Sequence, residues 1–263
     1  MMAKSGQARV PTTAEKNRLF EAIQEHRHPE KNTAIMQVSF KLGLRVQEIA
    51  LLELKEVCRL GRPRKTLPRD FELLEVMTLP AAYTKGANAL GRSKSKYERR
   101  TVSFNVDEFN RIVSQIEALA KANAPIDPVD FYPAVKKHKG KSRDLPIVDD
   151  ELRSSLAEYL LVRLERDPTA KLRDPLFITQ KGHSYSPNTL QEHMALMLRG
   201  WAGIEKASSH SGRRTLITDV IHKQKKSVKV AQKIAGHVSP STTIIYEEPP
   251  EGEISEALKN VSQ

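Results

Sequence analysis

Apolar residues recur at helical spacing along most of the chain, while strand-like runs are short. Leu19, Phe20 and Ile23 fall on one side of a helix expected over 13–25. Two more helices are expected over 32–42 and 46–57, with Gly43 at the joint and Arg45 beside it. Helices follow over 107–122, 149–166 and 188–198. In the last, Leu190, Met194 and Met197 or Leu198 form an inward stripe, with Trp201 packed just beyond. Leu216, Ile217, Val220 and Ile221 repeat with the same period, in a helix capped by Ser208 or Ser209. Residues 227–235 form a short amphipathic helix stopped by Gly236. A final helix begins near Ser239 and carries Tyr246 on its first or second turn.

The exceptions to helical spacing are paired. A strand-like run over 71–83 leads to Lys85-Gly86, a basic strand over 100–104 and a helix. A second run over 131–135 leads to Lys139-Gly140, a basic strand over 143–147 and a helix. Either the scheme is a partial duplication or insertion, or two basic hairpins coincide. A further short strand and turn is expected over 174–182. The fold class is thus mainly α with small β-hairpins (α+β). Residues 1–12 are expected to be disordered and 59–70 to form a basic loop. One domain covers 13–247, with a long basic insertion over about 59–145 and a tail helix within 248–263.

Composition narrows the partners. The 263 residues, 39% hydrophobic, suffice for one substantial domain. A net charge of +11 favours a polyanion. The charge is concentrated at Arg92, Lys94, Lys96, Arg99 and Arg100, and again at Lys136, Lys137, Lys139, Lys141 and Arg143. The segment after Tyr246 is acidic. Cys58, expected to be a small packed residue, is the only cysteine, so no intrachain disulfide can form and a reducing, cytoplasmic setting is expected. No apolar run approaches membrane-spanning length. The eight histidines lack metal-ligand spacing, and His26 and His28 read as surface residues. No cofactor or metal is expected.

The candidate chemistry lies in five residues: Arg45, His210, Arg213, His237 and Tyr246. Arginine presents a planar, permanently charged fork that grips two phosphate oxygens. Histidine exchanges protons near neutral pH, and tyrosine needs an activated setting to attack. His210 and Arg213, three apart, share a face in the first turn of their helix, where backbone N–H groups favour an anion. Arg214 points about 100° away and serves as a surface control. His237 follows a helix stop on a loop, where functional side chains often sit. Together these suit the holding of a phosphodiester while a tyrosine attacks it.

His210-Ser-Gly-Arg213, Gly236-His237 and Tyr246 nine residues on strongly resemble the C-terminal boxes of the tyrosine recombinases, also called the phage integrase family. Ser241-Thr-Thr-Ile-Ile-Tyr246 resembles that family's S-T-T-x-x-Y. Gly43-Leu-Arg45-Val-Gln-Glu48 resembles its G-L-R-x-x-E box, in which the glutamate braces the arginine. The resemblance spans about 30–247. It implies cleavage and rejoining of double-stranded DNA through a 3′-phosphotyrosyl bond, in a site-specific recombinase or integrase of a mobile element. It also implies a lysine on a hairpin turn that protonates the leaving 5′-hydroxyl. Lys85 and Lys139 both qualify, Lys85 being slightly favoured. The expected setting is a bacterial, nucleoid-associated one. The expected assembly is a homotetramer on DNA, with the tail helix (Ile254, Leu258, Val261) packed on a neighbouring copy and other recombinases or accessory proteins as further partners. Only 44 residues precede Arg45, so the family's N-terminal clamp domain is expected to be absent. The alternatives are a type IB topoisomerase or telomere resolvase, and a non-catalytic DNA-binding accessory protein of the same fold.

Overall fold

The structure, a computed structural model, describes residues 8–62, 69–83, 106–127, 131, 142–237 and 239–246. It divides into two units, one of 1–80 with 141–263 and one of 81–140. Within the second unit the described residues hold a 3₁₀ turn at Ala81–Tyr83 and an amphipathic helix.

The first unit is built on one nearly submerged helix. After α1 (Thr13–Gln24) comes α2 (Pro29–Leu42), which buries Ala34, Ile35, Met36, Val38 and Phe40. It runs against α5 (Asp150–Arg166) and α7 (Ser211–Thr218), where α4 denotes the helix Val106–Lys121 of the second unit. A helix enclosed by neighbours on more than one side loses its polar face, and Lys31, Asn32, Gln37 and Ser39 are buried as well. The α2–α7 approach is close because position 212 has no side chain. A Cβ there would come within 2.3 Å of Ser39 Oγ. At the far end of α2, Gly43 adopts φ +61, the left-handed conformation that stops a helix and suits glycine.

The helix expected over 46–57 is cut short. α3 covers Val46–Leu51, and the chain then passes through a 3₁₀ turn (Leu54–Glu56) into β1 (Cys58–Leu60). Backbone pairing ends it. Leu54 and Lys55 N–H donate to Asp174 and Leu172, and Leu176 N–H donates to Leu52 C=O, at 2.7–3.0 Å. Backbone groups bound to a distant segment are lost to an i→i−4 ladder. The expected short strand near 174–182 is correspondingly reduced to isolated bridges, Glu53 with Pro175 and Ile178 with Ser184.

Two small antiparallel pairs complete the unit. β1 pairs with β2 (Phe71–Leu73), so part of the expected basic loop is strand. β3 (Val76–Leu79) pairs with β4 (Arg143–Pro146), in the register Val76 with Pro146 and Leu79 with Arg143. The single run expected over 71–83 is therefore two strands and a turn. The first strand scheme also finds its partner in the second scheme's basic strand, at long sequence separation. Residues 84–105, and with them Lys85 and the strand expected over 100–104, lie outside the described residues. So do 132–141, which hold Lys139, and the tail after Tyr246.

The helix expected over 188–198 holds with small shifts, while the disorder expected over 1–12 does not extend to residues 9–12. α6 (Pro187–Ala195) continues as a π-helical turn to Trp201, and Leu190, Met194, Met197 and Leu198 are buried. Cys58 is buried, and burial pushes its thiol up to about 11. His26 is more than a surface residue: its ring stacks on Trp201 at 3.9 Å. Of the leading residues, Arg9 pairs with Glu15 at 2.8 Å, Pro11 is buried and Thr12 caps α1 in a capping box with Glu15. Among the described residues no helix is long and apolar enough to cross a membrane.

Candidate active site

The site assembles where α2 ends, α7 begins and β4 enters. Arg45, in extended backbone at the N-cap of α3, is fixed by Glu48 three residues on. The carboxylate accepts from Arg45 N–H at 2.7 Å and from its guanidinium at 3.0 Å. Glu48 is fully buried. Burial alone would raise its pKa. The charges and hydrogen bonds of Arg143 and Arg45 outweigh that and hold the carboxyl below its ordinary range. Arg143 is the residue that sequence reasoning left without a role. Its two terminal nitrogens grip the two oxygens of Glu48 at 3.1 and 2.8 Å. Its prior signals were its place in a basic run and in Lys139-Gly-Lys-Ser-Arg143-Asp-Leu-Pro-Ile147, a stretch that resembles a K-G-x-x-R-x-x-P-L hairpin motif of the phage integrase family.

Arg213 is buried on α7, wedged between two carbonyls. It donates to Gly43 C=O at 2.6 Å and to Ala235 C=O. Burial, then the nearby charge of Arg45, depresses its pKa to about 9, with Arg143 adding to the effect and Glu48 opposing it. Two guanidinium groups thus grip one carboxylate, and Arg213 adds a third positive charge that feels the other three. The surplus positive charge is incompletely compensated by the protein, which favours an incoming anion.

His210 is the N-cap of α7, one turn before Arg213, and is exposed. Its N–H donates to Ser208 Oγ at 3.2 Å, and its Nδ1 lies 3.3 Å from Ser209 Oγ. The helix begins later than expected because Ser208 serves the turn before it. Ser208 N–H donates to Ser211 Oγ at 3.0 Å.

Gly236, φ +62, ends α8 (Val228–Ala235) and turns the chain so that His237 faces inward. His237 Nδ1 is 2.8 Å from Thr243 Oγ1, a buried hydroxyl on α9 (Ser241–Ile244). Burial first, then the charges of Arg213, Arg45 and Arg143, pushes the imidazole down to about 4, so it is neutral near pH 7. Thr243 was visible beforehand only as part of the Ser-Thr-Thr string.

Tyr246 follows α9 in a turn. Its ring stacks beside His237, centroids 6.0 Å apart, and Tyr246 packs against the apolar cluster of Ile217, Val220, Ile221, Ala231 and Ala235. His222 Nε2 lies 3.0 Å from its carbonyl. Arg214 also faces it. The guanidinium sits 5.9 Å from the Tyr246 ring centroid and donates to Ala8 C=O. Arg214 is therefore no surface control. Ala8, before α1, and Tyr246, after α9, give its side chain partners that helical geometry alone does not reveal.

The structure thus gathers Arg45, Arg213, His237 and Tyr246, with Glu48 and Arg143, and sets His210 at the mouth of the same helix. Lys85 and Lys139 are outside the described residues.

The sequence pattern of the phage integrase family matches residues 113–251. A tyrosine recombinase XerC from Methylobacterium sp. (strain 4-46) is 32% identical over 136 residues, covering 51% of this chain and 40% of that protein. The XerC of Methylobacterium nodulans is 28% identical over 135 residues, with the same coverage. The match thus takes in less than half the length of either relative. Among solved structures, XerA recombinase superposes with a TM-score of 0.57 at 18% identity, over 100% of this chain and 67% of that one. The integrase of transposon Tn1549, in complex with transposon right end DNA, gives 0.57 at 12% identity, over 100% and 69%. At these identities the structural likeness is one of fold.

Proposed function

The chain belongs to the phage integrase family, and on that premise we propose that it is a site-specific tyrosine recombinase acting on double-stranded DNA. The observation that carries this reading is the convergence of Arg213 and the Glu48-held Arg45 on a neutral His237 whose ring stacks beside that of Tyr246. In the proposed cleavage, Tyr246 Oη attacks the scissile phosphorus and the P–O5′ bond breaks. The DNA 3′ end becomes a phosphotyrosine and the 5′ end a free hydroxyl. Arg45 and Arg213 carry the charge that grows on the non-bridging oxygens. His237, held neutral, can accept the tyrosine proton, and His210 hydrogen-bonds the phosphate from the α7 N-terminus. Lys85 or Lys139 protonates the leaving 5′-oxygen. Rejoining is the reverse, so the phosphotyrosyl bond conserves the energy and no nucleotide is required. The proposed assembly is a homotetramer on DNA within the bacterial cytoplasm, at the nucleoid, serving integration or excision of a mobile element.

The test uses a random duplex library carrying nicks. A nick beside the cleaved bond lets the 5′ fragment diffuse away and traps the covalent intermediate. Denaturation-resistant protein–DNA complexes, whose DNA converges on one sequence when read, are expected. DNA binding without any such complex would assign the chain to the accessory-protein alternative. A 5′-bridging sulfur in the recovered site removes the need for a leaving-group proton. It should rescue alanine at the true acid, Lys85 or Lys139, and fail at the other.

A further inference from the structure

Arg143 lies far in sequence from Arg45, His210, Arg213, His237 and Tyr246, yet it makes as many hydrogen bonds to Glu48 as Arg45 does. Each oxygen of that carboxylate takes two donors. Oε1 accepts from Arg45 and Arg143 guanidinium nitrogens at 3.0 and 3.1 Å, and Oε2 from Arg45 N–H and Arg143 at 2.7 and 2.8 Å. The Arg143 side chain is only 8% exposed, and its Nε is buried without a hydrogen-bond partner. Its position is also imposed from the other side. A Cβ on Gly236 would come within 2.5 Å of Arg143 Nη1, so the glycine before His237 leaves room for this guanidinium as well as permitting the turn. A buried ion pair is weak evidence of stability, since desolvation offsets much of its attraction. What it supplies well is a unique geometry.

We propose that Arg143 is a positioning residue for strand cleavage: it locks Glu48 in the one orientation that aims Arg45 at the phosphate, and so ties that aim to the pairing of β4 with β3. Alone, Glu48 and Arg45 form a local i, i+3 contact with rotamers to spare. The Arg143 fork removes that freedom. Because Arg143 is the residue paired with Leu79, a shift of the β3–β4 register moves the fork and releases Arg45.

This inference rests on the strand-cleavage reading, and the test separates the two. The probe is the nicked duplex recovered by covalent capture, and the readout is the single-turnover cleavage rate. Absence of cleavage by the unaltered chain removes the reading itself. Given cleavage, Arg143→Gln and Arg143→Lys are each compared with Arg45→Ala and with the double variants. Lysine keeps the buried positive charge, so it guards against simple unfolding, but it lacks the fork. Each single Arg143 variant is expected to lose on the order of 10-fold to 100-fold, and Arg45→Ala at least as much. Each double variant is expected to match Arg45→Ala alone, because the two residues act in series. A methylphosphonate at the cleaved position removes one anionic oxygen and eases the demand on Arg45. It should shrink the Arg143 penalties in parallel, which general destabilisation would not do. Losses that multiply in the double variants, or an Arg143→Lys enzyme that cleaves at the full rate, would overturn the proposal.

Discussion

The two halves of the site are built differently. The arginine half is rigid by construction. Arg213 is pinned between two carbonyls, Glu48 is saturated with four donors, and the elements that carry them abut the submerged α2. The tyrosine half hangs on four-residue α9, whose last residue Ile244 and C-cap Ile245 are 53% and 51% exposed. It is held by one buried hydroxyl, a ring stack, a backbone contact from His222, the Arg214 cation–π contact and the packing of a partly buried ring on one small apolar cluster. A clamp for charge gains from having its dipoles arranged in advance, since nothing then needs to reorganise as charge develops. A nucleophile that forms and releases a covalent bond must travel, and a lightly held segment permits it.

That contrast can be broken at several points. Tyr246→Phe is expected to abolish covalent capture while leaving DNA binding nearly unchanged, as measured by gel shift beside denaturing electrophoresis. Undiminished covalent complex would remove Tyr246 from the chemistry. Next in size, Arg213→Ala should slow cleavage by on the order of 10²-fold or more, the cost of one lost transition-state donor. Arg214→Ala should cost less, about 2-fold to 30-fold, since a half-buried cation–π contact contributes about 0.5–2 kcal/mol. Equal losses would mean that both arginines serve the phosphate. Thr243→Val removes the hydrogen bond that orients His237. Losing about 1 kcal/mol there predicts a slowing of about 5-fold to 10-fold, read in single turnover. The smallest effect concerns pH. His237 falls from an ordinary value near 6.5 to about 4 on folding. The folded state therefore binds fewer protons than the unfolded state between those values. Its stabilising contribution is complete above pH 6.5 and is lost as pH falls toward 4. In the free protein the His237 ring should give no titration step by NMR between pH 5.5 and 8. A midpoint near 6.5 would show the ring to be solvated and mobile.

What the sequence made legible follows the same division. The Arg45–Glu48 pair spans one helical turn, and Gly236-His237 is a helix stop, so local rules expose both. Most helices were legible from their periodicity. Pro29 was passed over as the start of α2 because the polar Glu30 and Lys31 behind it broke the apolar pattern. The end of α3 at Leu51 could not be read, because its cause is a segment near 172–176. Arg143 was hidden for the same reason: a basic residue in a basic run gives no sign of a carboxylate in a distant helix. Arg214 was misjudged because helical geometry fixes a direction but not what a neighbouring segment places there.

The pairing of Leu79 with Arg143 has one more consequence. Adjacent antiparallel partners lie about 5 Å apart, so the chain departs from the ladder and returns to it at nearly the same point. Such a junction is a port: whatever is strung between the two ends can be exchanged without stretching the ladder. Closing a loop of this length costs roughly 3–4 kcal/mol of chain entropy. A short turn spliced across the port should recover about 2 kcal/mol of that and speed the docking of β4.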